Sequence, residues 1–312
     1  MGRSINVYSC TKQMQWLNVE NLFSTTKADY NILVIIDHFP NAKLFGKEVG
    51  KIFSHWDEVV VLKDRIYLSF FLFKIKPKVL FIDSDYGFKG YLQSLLFNGD
   101  VFVYDEGLGS YYINTITKKS SLLKKTIFRI LGAANFMGNH YKTKGIYLYN
   151  NKYYKSQYPN YKGKVFSFPL EYLNFFESNL SFLLTLFKVK DIEFLKIENS
   201  RIALYATYHT INDDILKELE TNKNEYDFIF IKPHPHLLRN NPNFETNTQF
   251  TLILDTILLE ILIIKLCLKN KLTVFHESST GCLYFKETEN LKFINYGGFY
   301  FPAFEEFKKY YN

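Results

Sequence analysis

The sequence predicts an α/β protein made of two doubly wound, parallel-sheet domains. Three observations point there. Short β-branched runs such as residues 31–36 and 79–82 are nearly continuous in apolar side chains, as strands covered on both faces are. Each run closes on polar or glycine-containing residues, and longer helical stretches separate them. The alternation restarts after a charged interval at 188–198, in a chain of 312 residues that is long enough for two such domains.

Taken in order, residues 5–9 form the first expected strand and 15–23 a helical stretch. The strand at 31–36 ends on Asp37-His38, and further strands follow at 58–62, 79–82 and 101–104. Residues 150–163 are dense in Tyr, Asn and Lys and contain Pro159, so they read as a loop leading to a strand near 164–168. A helix runs from Pro169 to about 187. The domain boundary is expected near residue 195, giving domains at 1–195 and 196–312. The second domain holds strands at 201–206, 228–231 and 273–275, helices at 212–219 and 252–268, and a closing helix at 301–311. The stretch 251–268 is the most apolar, yet it contains Asp255, Glu260 and Lys265. A membrane span would bear those charges at about 2.5–3.5 kcal/mol each, so a buried helix is expected instead.

Composition narrows the function classes. Net charge is +7, which suits an anionic partner, but no dense Arg/Lys stripe or zinc-finger pattern points to nucleic acid. Aromatic residues reach 18%, and with abundant Lys, Asn and Ile they read as an AT-rich codon bias rather than a stacking surface. Cys10, Cys267 and Cys282 are too scattered for a disulfide framework or a cysteine zinc site, and a reducing cytoplasm is the expected compartment. Polar residues at 11–15 interrupt any signal-peptide core. Lysine pairs at Lys118-Lys119, Lys124-Lys125 and Lys308-Lys309 suggest peripheral attachment to the anionic inner leaflet.

Open α/β sheets bind ligands beyond the carboxyl ends of their strands, and polar clusters follow three of the expected strands. Asp105-Glu106-Gly107 follows 101–104, placing two carboxylates on a tight turn where one can act as a general base; a solvated capping turn is the alternative. Lys232-Pro233-His234-Pro235-His236 follows 228–231. The prolines stiffen the backbone around His234, which beside Lys232 can neutralise a phosphate leaving group. Ser278-Ser279-Thr280 follows 273–275 and is expected to open a helix, as an anion site or an ordinary capping sequence. One carboxylate site in the first half and two phosphate-type sites in the second match an acceptor domain facing a nucleotide-donor domain.

The order Asp-Glu-Gly, Lys-Pro-His-Pro, Ser-Ser-Thr resembles the three motifs of bacterial sialyltransferases with GT-B folds. The opening Val7-Tyr8-Ser9-Cys10-Thr11, followed by Gln15, is similar to the start of glycosyltransferase family 52, which contains lipooligosaccharide sialyltransferases. Lys12-Gln13 departs from the Thr-Pro-like turn expected there. The resemblance implies a GT-B fold, with two Rossmann-like domains facing each other across a deep cleft. It implies an inverting transferase that moves sialic acid from CMP-sialic acid to a glycan hydroxyl of lipooligosaccharide or capsule, with no metal and no cofactor beyond that donor. Asp105 would be the base, with Glu106 assisting, and His234 would stabilise the departing CMP phosphate. Lys232, Pro235, Ser278, Ser279 and Thr280 would hold the donor, and Gly107 and Gln15 would form the acceptor-side loop. A homodimer remains open as the oligomeric state.

Other readings stay open. Asp83-Ser84-Asp85 has the D-x-D form by which metal-dependent transferases hold a nucleotide diphosphate. A related transferase could use a hexose nucleotide or CDP-glycerol, and for the latter His209 is the candidate second histidine. A non-catalytic glycan- or nucleotide-binding protein is the reading from another class.

Overall fold

The computed structural model describes residues 3–86, 93, 97–111, 121–123, 126, 136–187, 189, 193–234, 237–238, 250–254, 257–298 and 301–311. The chain divides into two compact units, Met1–Phe175 and Phe176–Asn312.

The first unit is built on seven strands: β1 (Ile5–Cys10), β2 (Tyr30–Ile36), β3 (Glu58–Leu62), β4 (Val79–Ile82), β5 (Asp100–Tyr104), β6 (Thr143–Leu148) and β7 (Lys164–Ser167). Their spatial order is β3-β2-β1-β4-β5-β6-β7, and every neighbouring pair is parallel. Helices α1 (Gln13–Thr26), α2 (Ala42–Ile52) and α3 (Arg65–Ile75) make the first three crossovers. Both faces of the central strands are covered, which is why Leu33, Val34, Ile35 and Ile36 are all fully buried. Helix α2 packs tightly because Gly46 lacks a side chain; a Cβ there would stand 2.6 Å from Val61. Asp64 caps α3 by accepting from the N–H groups of Ile66 at 2.7 Å and Tyr67 at 3.3 Å.

Two stretches of this unit differ from expectation. The segment read as a loop contains helix α4 (Asn151–Gln157), capped by Asn150, whose Oδ1 accepts from Tyr153 N–H at 3.0 Å. Its tyrosines pack inward, with the Tyr154 and Tyr158 rings 4.8 Å apart, so the aromatic density there is core. Strand β6 was not anticipated either.

After α5 (Tyr172–Leu186), the second unit carries β8 (Arg201–Ala206), β9 (Phe228–Lys232), β10 (Thr251–Leu252), β11 (Lys271–His276) and β12 (Leu291–Asn295). Their order is β10-β9-β8-β11-β12, again all parallel. Helices α6 (Asp213–Thr221), α7 (Leu259–Cys267) and α8 (Phe301–Tyr311) complete it. Ala203, Tyr205, Ile215, Leu219, Ile231 and Phe275 form one core cluster between the sheet and α6. The single helix expected over 252–268 is instead a two-residue strand followed by the shorter α7, in which Glu260 is buried; Asp255 lies outside the described residues. The division between Phe175 and Phe176 lies within α5, about twenty residues before the boundary expected near residue 195. Among the described residues no helix is long and apolar enough to cross a membrane.

Each sheet has a point where strand order reverses. In the first, the chain moves outward from β1 through β2 to β3 and returns to β4 on the other side of β1. In the second it moves from β8 through β9 to β10 and returns to β11. The carboxyl ends of the strands flanking such a reversal are where ligands bind in open α/β sheets.

Candidate functional site

In the first unit, Thr11, Asp83 and Glu106 follow the adjacent strands β1, β4 and β5 at one edge. Gln15, in the first turn of α1, joins them. Its Oε1 accepts from Thr11 N–H at 2.7 Å, and a backbone N–H can only donate, so the amide orientation is set. Nε2 consequently points at Asp83 Oδ2, 3.0 Å away, and at Glu106 Oε2, 3.3 Å away. Arg65, the first residue of α3, closes Asp83 from the other side: Nη2 lies 2.7 and 2.6 Å from the two carboxylate oxygens. Nη1 of the same guanidinium donates to Gln93 at 3.0 Å.

Glu106 is the carboxyl that this network leaves without a guanidinium. Its side chain is 13% exposed, with Lys12 Nζ at 3.8 Å and the Tyr86 hydroxyl at 3.4 Å. Burial pushes its carboxyl up to about 7; Lys12 and Arg65 pull it down, while Asp83 and Asp105 push it further up.

Asp105 is oriented differently. It is fully buried, its Oδ1 accepts from Gly107 N–H at 2.7 Å, and its Oδ2 takes the Tyr111 hydroxyl and Tyr149 N–H, the latter at 3.3 Å. Gly107 adopts φ 101°, in the left-handed region that favours glycine. Asp105 thus holds the turn from inside, and Glu106 occupies its outer position.

The Asp83-Ser84-Asp85 carboxylates part company. Asp83 joins Arg65, whereas Asp85, fully buried, accepts from Gly138 N–H at 2.8 Å, His140 N–H at 3.0 Å and the Thr143 hydroxyl at 2.6 Å. Among the described residues no group of three or more His, Cys, Asp or Glu is placed to hold a metal ion.

In the second unit, Thr207 follows β8 and ties two strand ends together. His234 N–H donates to its hydroxyl at 2.9 Å, and its own N–H donates to the Lys232 carbonyl at 3.1 Å. The His209 and His234 rings lie 4.8 Å apart, and Tyr208 stacks on His209 at 4.2 Å. Lys232 is largely buried, with 8% exposed. Pro235 and His236 lie outside the described residues.

Beyond β11, Ser278 adopts φ 53° and is buried; its N–H donates to Asn295 Oδ1 at 2.9 Å and its hydroxyl to the Gly297 carbonyl at 2.8 Å. Ser279 is half-buried and Thr280 exposed. The helix expected to open here is a three-residue 3₁₀ turn, Thr280–Cys282, so it does not provide the row of free amides that a long helix would. His276 is held down to about 3 by burial and then by Lys308, so it is a neutral acceptor for Ser279 N–H at 3.2 Å. With β8 lying between β9 and β11, His234 and Ser279 leave strands roughly 10 Å apart on the same edge.

The fold therefore gathers Gln15 with Glu106 in the first unit, and in the second Thr207 ties the backbone of Lys232 to that of His234. Arg65 and Thr207 are the partners that sequence reasoning missed. Both are single residues without a motif: Thr207 meets its partners because β8 and β9 are adjacent, whereas Arg65 reaches Asp83 from the start of the helix that follows β3, with β2 and β1 between that strand and β4.

No family model matches the sequence, and no curated protein matches it. Solved structures do. UDP-N-acetylglucosamine 2-epimerase from Rickettsia bellii aligns at TM-score 0.54 and 10% identity, over 88% of this chain and 74% of that one. UDP-GlcNAc 2-epimerase from Neisseria meningitidis bound to UDP-GlcNAc aligns at 0.53 and 13%, over 99% and 91%. The wall teichoic acid polymerase TagF aligns at 0.53 and 11%, over 99% and 84%. At such identities the likeness shows the fold, a two-domain α/β architecture of the GT-B type.

Proposed function

We propose that the protein is a glycosyltransferase using a nucleotide-activated sugar, with CMP-sialic acid as the donor. The observation that carries this reading is Glu106, a carboxyl at a sheet's carboxyl edge with its proton affinity pushed up to about 7 by burial. A base poised near operating pH is what removal of an acceptor hydroxyl proton requires. Glu106 takes that role in place of Asp105, whose oxygens are spent on the turn. The hydroxyl oxygen attacks the anomeric carbon, the bond to the CMP phosphate breaks, and the electron pair leaves with the phosphate. His234, with Lys232, offsets the charge that develops there, and Ser279 and Thr280 offer hydroxyls to the same group. This single displacement inverts the anomeric centre and calls on no metal ion.

The order of the three sequence motifs supports CMP-sialic acid specifically. The UDP-GlcNAc bound to the Neisseria meningitidis epimerase supports the broader nucleotide-sugar class. A second reading, transfer of glycerol phosphate from CDP-glycerol, is favoured by His209 lying 4.8 Å from His234. Thermal unfolding of the purified protein with CMP, UDP or CDP-glycerol separates them. Stabilisation by CMP and not by UDP is expected; stabilisation by CDP-glycerol but not CMP selects the second reading, and indifference to all three removes both.

A further inference from the structure

Helix α3 has an outer face that contradicts its position at the protein surface. Ile66, Tyr67, Phe70 and Phe73 are 65%, 51%, 69% and 77% exposed. At 100° per residue they fall, with Lys74, within one arc of about 120°. The opposite arc, Leu68 and Leu72, is buried against the sheet. A surface helix normally turns polar residues outward, and a contiguous exposed apolar face marks an interaction site.

The charged residues on α3 itself, Arg65 and Lys74, and most of those flanking it are basic. Lys63, Lys74, Lys76 and Lys78 are all exposed. The acid in the same stretch, Asp64, is occupied as the cap of α3. Apolar and aromatic side chains projecting from a convex helix, with lysines at both ends, match the interface of an anionic bilayer. Rings there enter the acyl boundary while ammonium groups meet headgroup phosphates. A protein partner would be expected to meet a mixed-charge face, and α3 itself carries no acid: its charged residues are Arg65 and Lys74.

We propose that the outer face of α3 is a docking surface for an anionic lipid membrane. Its placement has a consequence for the site. Arg65, on the inner side of the same helix, holds Asp83 at the carboxyl edge of the first sheet, so the membrane contact begins one residue from that network. The lysine pairs that suggested attachment from sequence are not this surface. Lys118, Lys119, Lys124 and Lys125 lie outside the described residues, and Lys308 is turned inward to the Cys282 and Phe285 carbonyls.

The surface is independent of the donor, so binding rather than transfer tests it. The full chain is floated with vesicles of phosphatidylcholine alone or with 30 mol% phosphatidylglycerol added (about that fraction), at physiological salt. Binding to the anionic vesicles is expected, with a loss of at least about tenfold in Phe70→Ser/Phe73→Ser and in Lys74→Glu/Lys76→Glu. Unchanged thermal unfolding in both variants confirms that the fold is intact. Failure of the wild type to bind, or equal binding by the serine variant, overturns the proposal. So does a wild-type dimer in sedimentation equilibrium that the serine variant dissolves, because the occupant is then a second copy of the chain.

Discussion

Gln15 donates to Glu106 from an amide nitrogen 3.3 Å away, and it does so in an orientation fixed by the backbone N–H of Thr11. The same nitrogen reaches Asp83 at 3.0 Å. One side chain therefore bridges two carboxylates of unequal standing: Asp83 is paired with Arg65, and Glu106 is not.

Replacing Arg65 by Met leaves the buried carboxylate of Asp83 without its guanidinium. Breaking a buried pair from one side costs about 3–5 kcal/mol, and that loss is expected in the denaturant midpoint. Stability within about 0.5 kcal/mol of wild type would mean that the pair is solvated.

Glu106 makes folding depend on pH in a definite direction. Its folded proton affinity, about 7, exceeds its unfolded value of 4.5, so between those pH values the folded state binds more protons. Its contribution to stability therefore falls as pH rises through that window. Glu106→Gln should match wild type below about pH 4.5, become progressively more stable relative to it up to about pH 7, and hold a constant advantage above that. A difference independent of pH would show that Glu106 titrates normally.

Lys12 opposes the upward push on Glu106 from 3.8 Å. Lys12→Met should raise the titration midpoint of the Glu106 carboxyl carbon, followed by NMR. A fall, or no movement, would contradict the assigned role of that charge.

The two carboxylates of the turn should respond differently to neutral isosteres. Asp105→Asn presents an amide NH₂ to groups that donate, and a buried donor left unsatisfied costs about 1–3 kcal/mol. Glu106→Gln should instead spare the fold and lower transfer by about 10²–10⁴-fold. Full transfer by Glu106→Gln would return the base role to Asp105.

Most strands were legible because both faces of these sheets are covered. Runs such as residues 79–82 and 201–206 are apolar for that reason and are observed as β4 and β8. Strand β12 was not, because Lys292 interrupts the short apolar run Leu291–Ile294 at the sheet edge. Helix α4 was hidden by a Tyr, Asn and Lys composition that resembles a loop until its tyrosines are seen packed inward. The polar clusters were found because they directly follow strands. Which carboxylate faces outward was not legible, since adjacent residues on a turn diverge and only Tyr111 and Tyr149 reveal that Asp105 points in. Arg65 was invisible for a related reason. It follows β3, which β2 and β1 separate from β4, so nothing in the sequence places it against Asp83.

The most direct test of the central claim follows CMP released from CMP-sialic acid in water by the wild type and by His234→Ala. Transferases of this kind lose donor slowly to water without an acceptor, and His234 offsets the charge developing on the leaving phosphate. Release by the wild type, reduced by about 10²–10³-fold in His234→Ala, is the predicted result. Equal release by the two proteins, or none by the wild type while CDP-glycerol or a UDP-sugar is consumed, would contradict it.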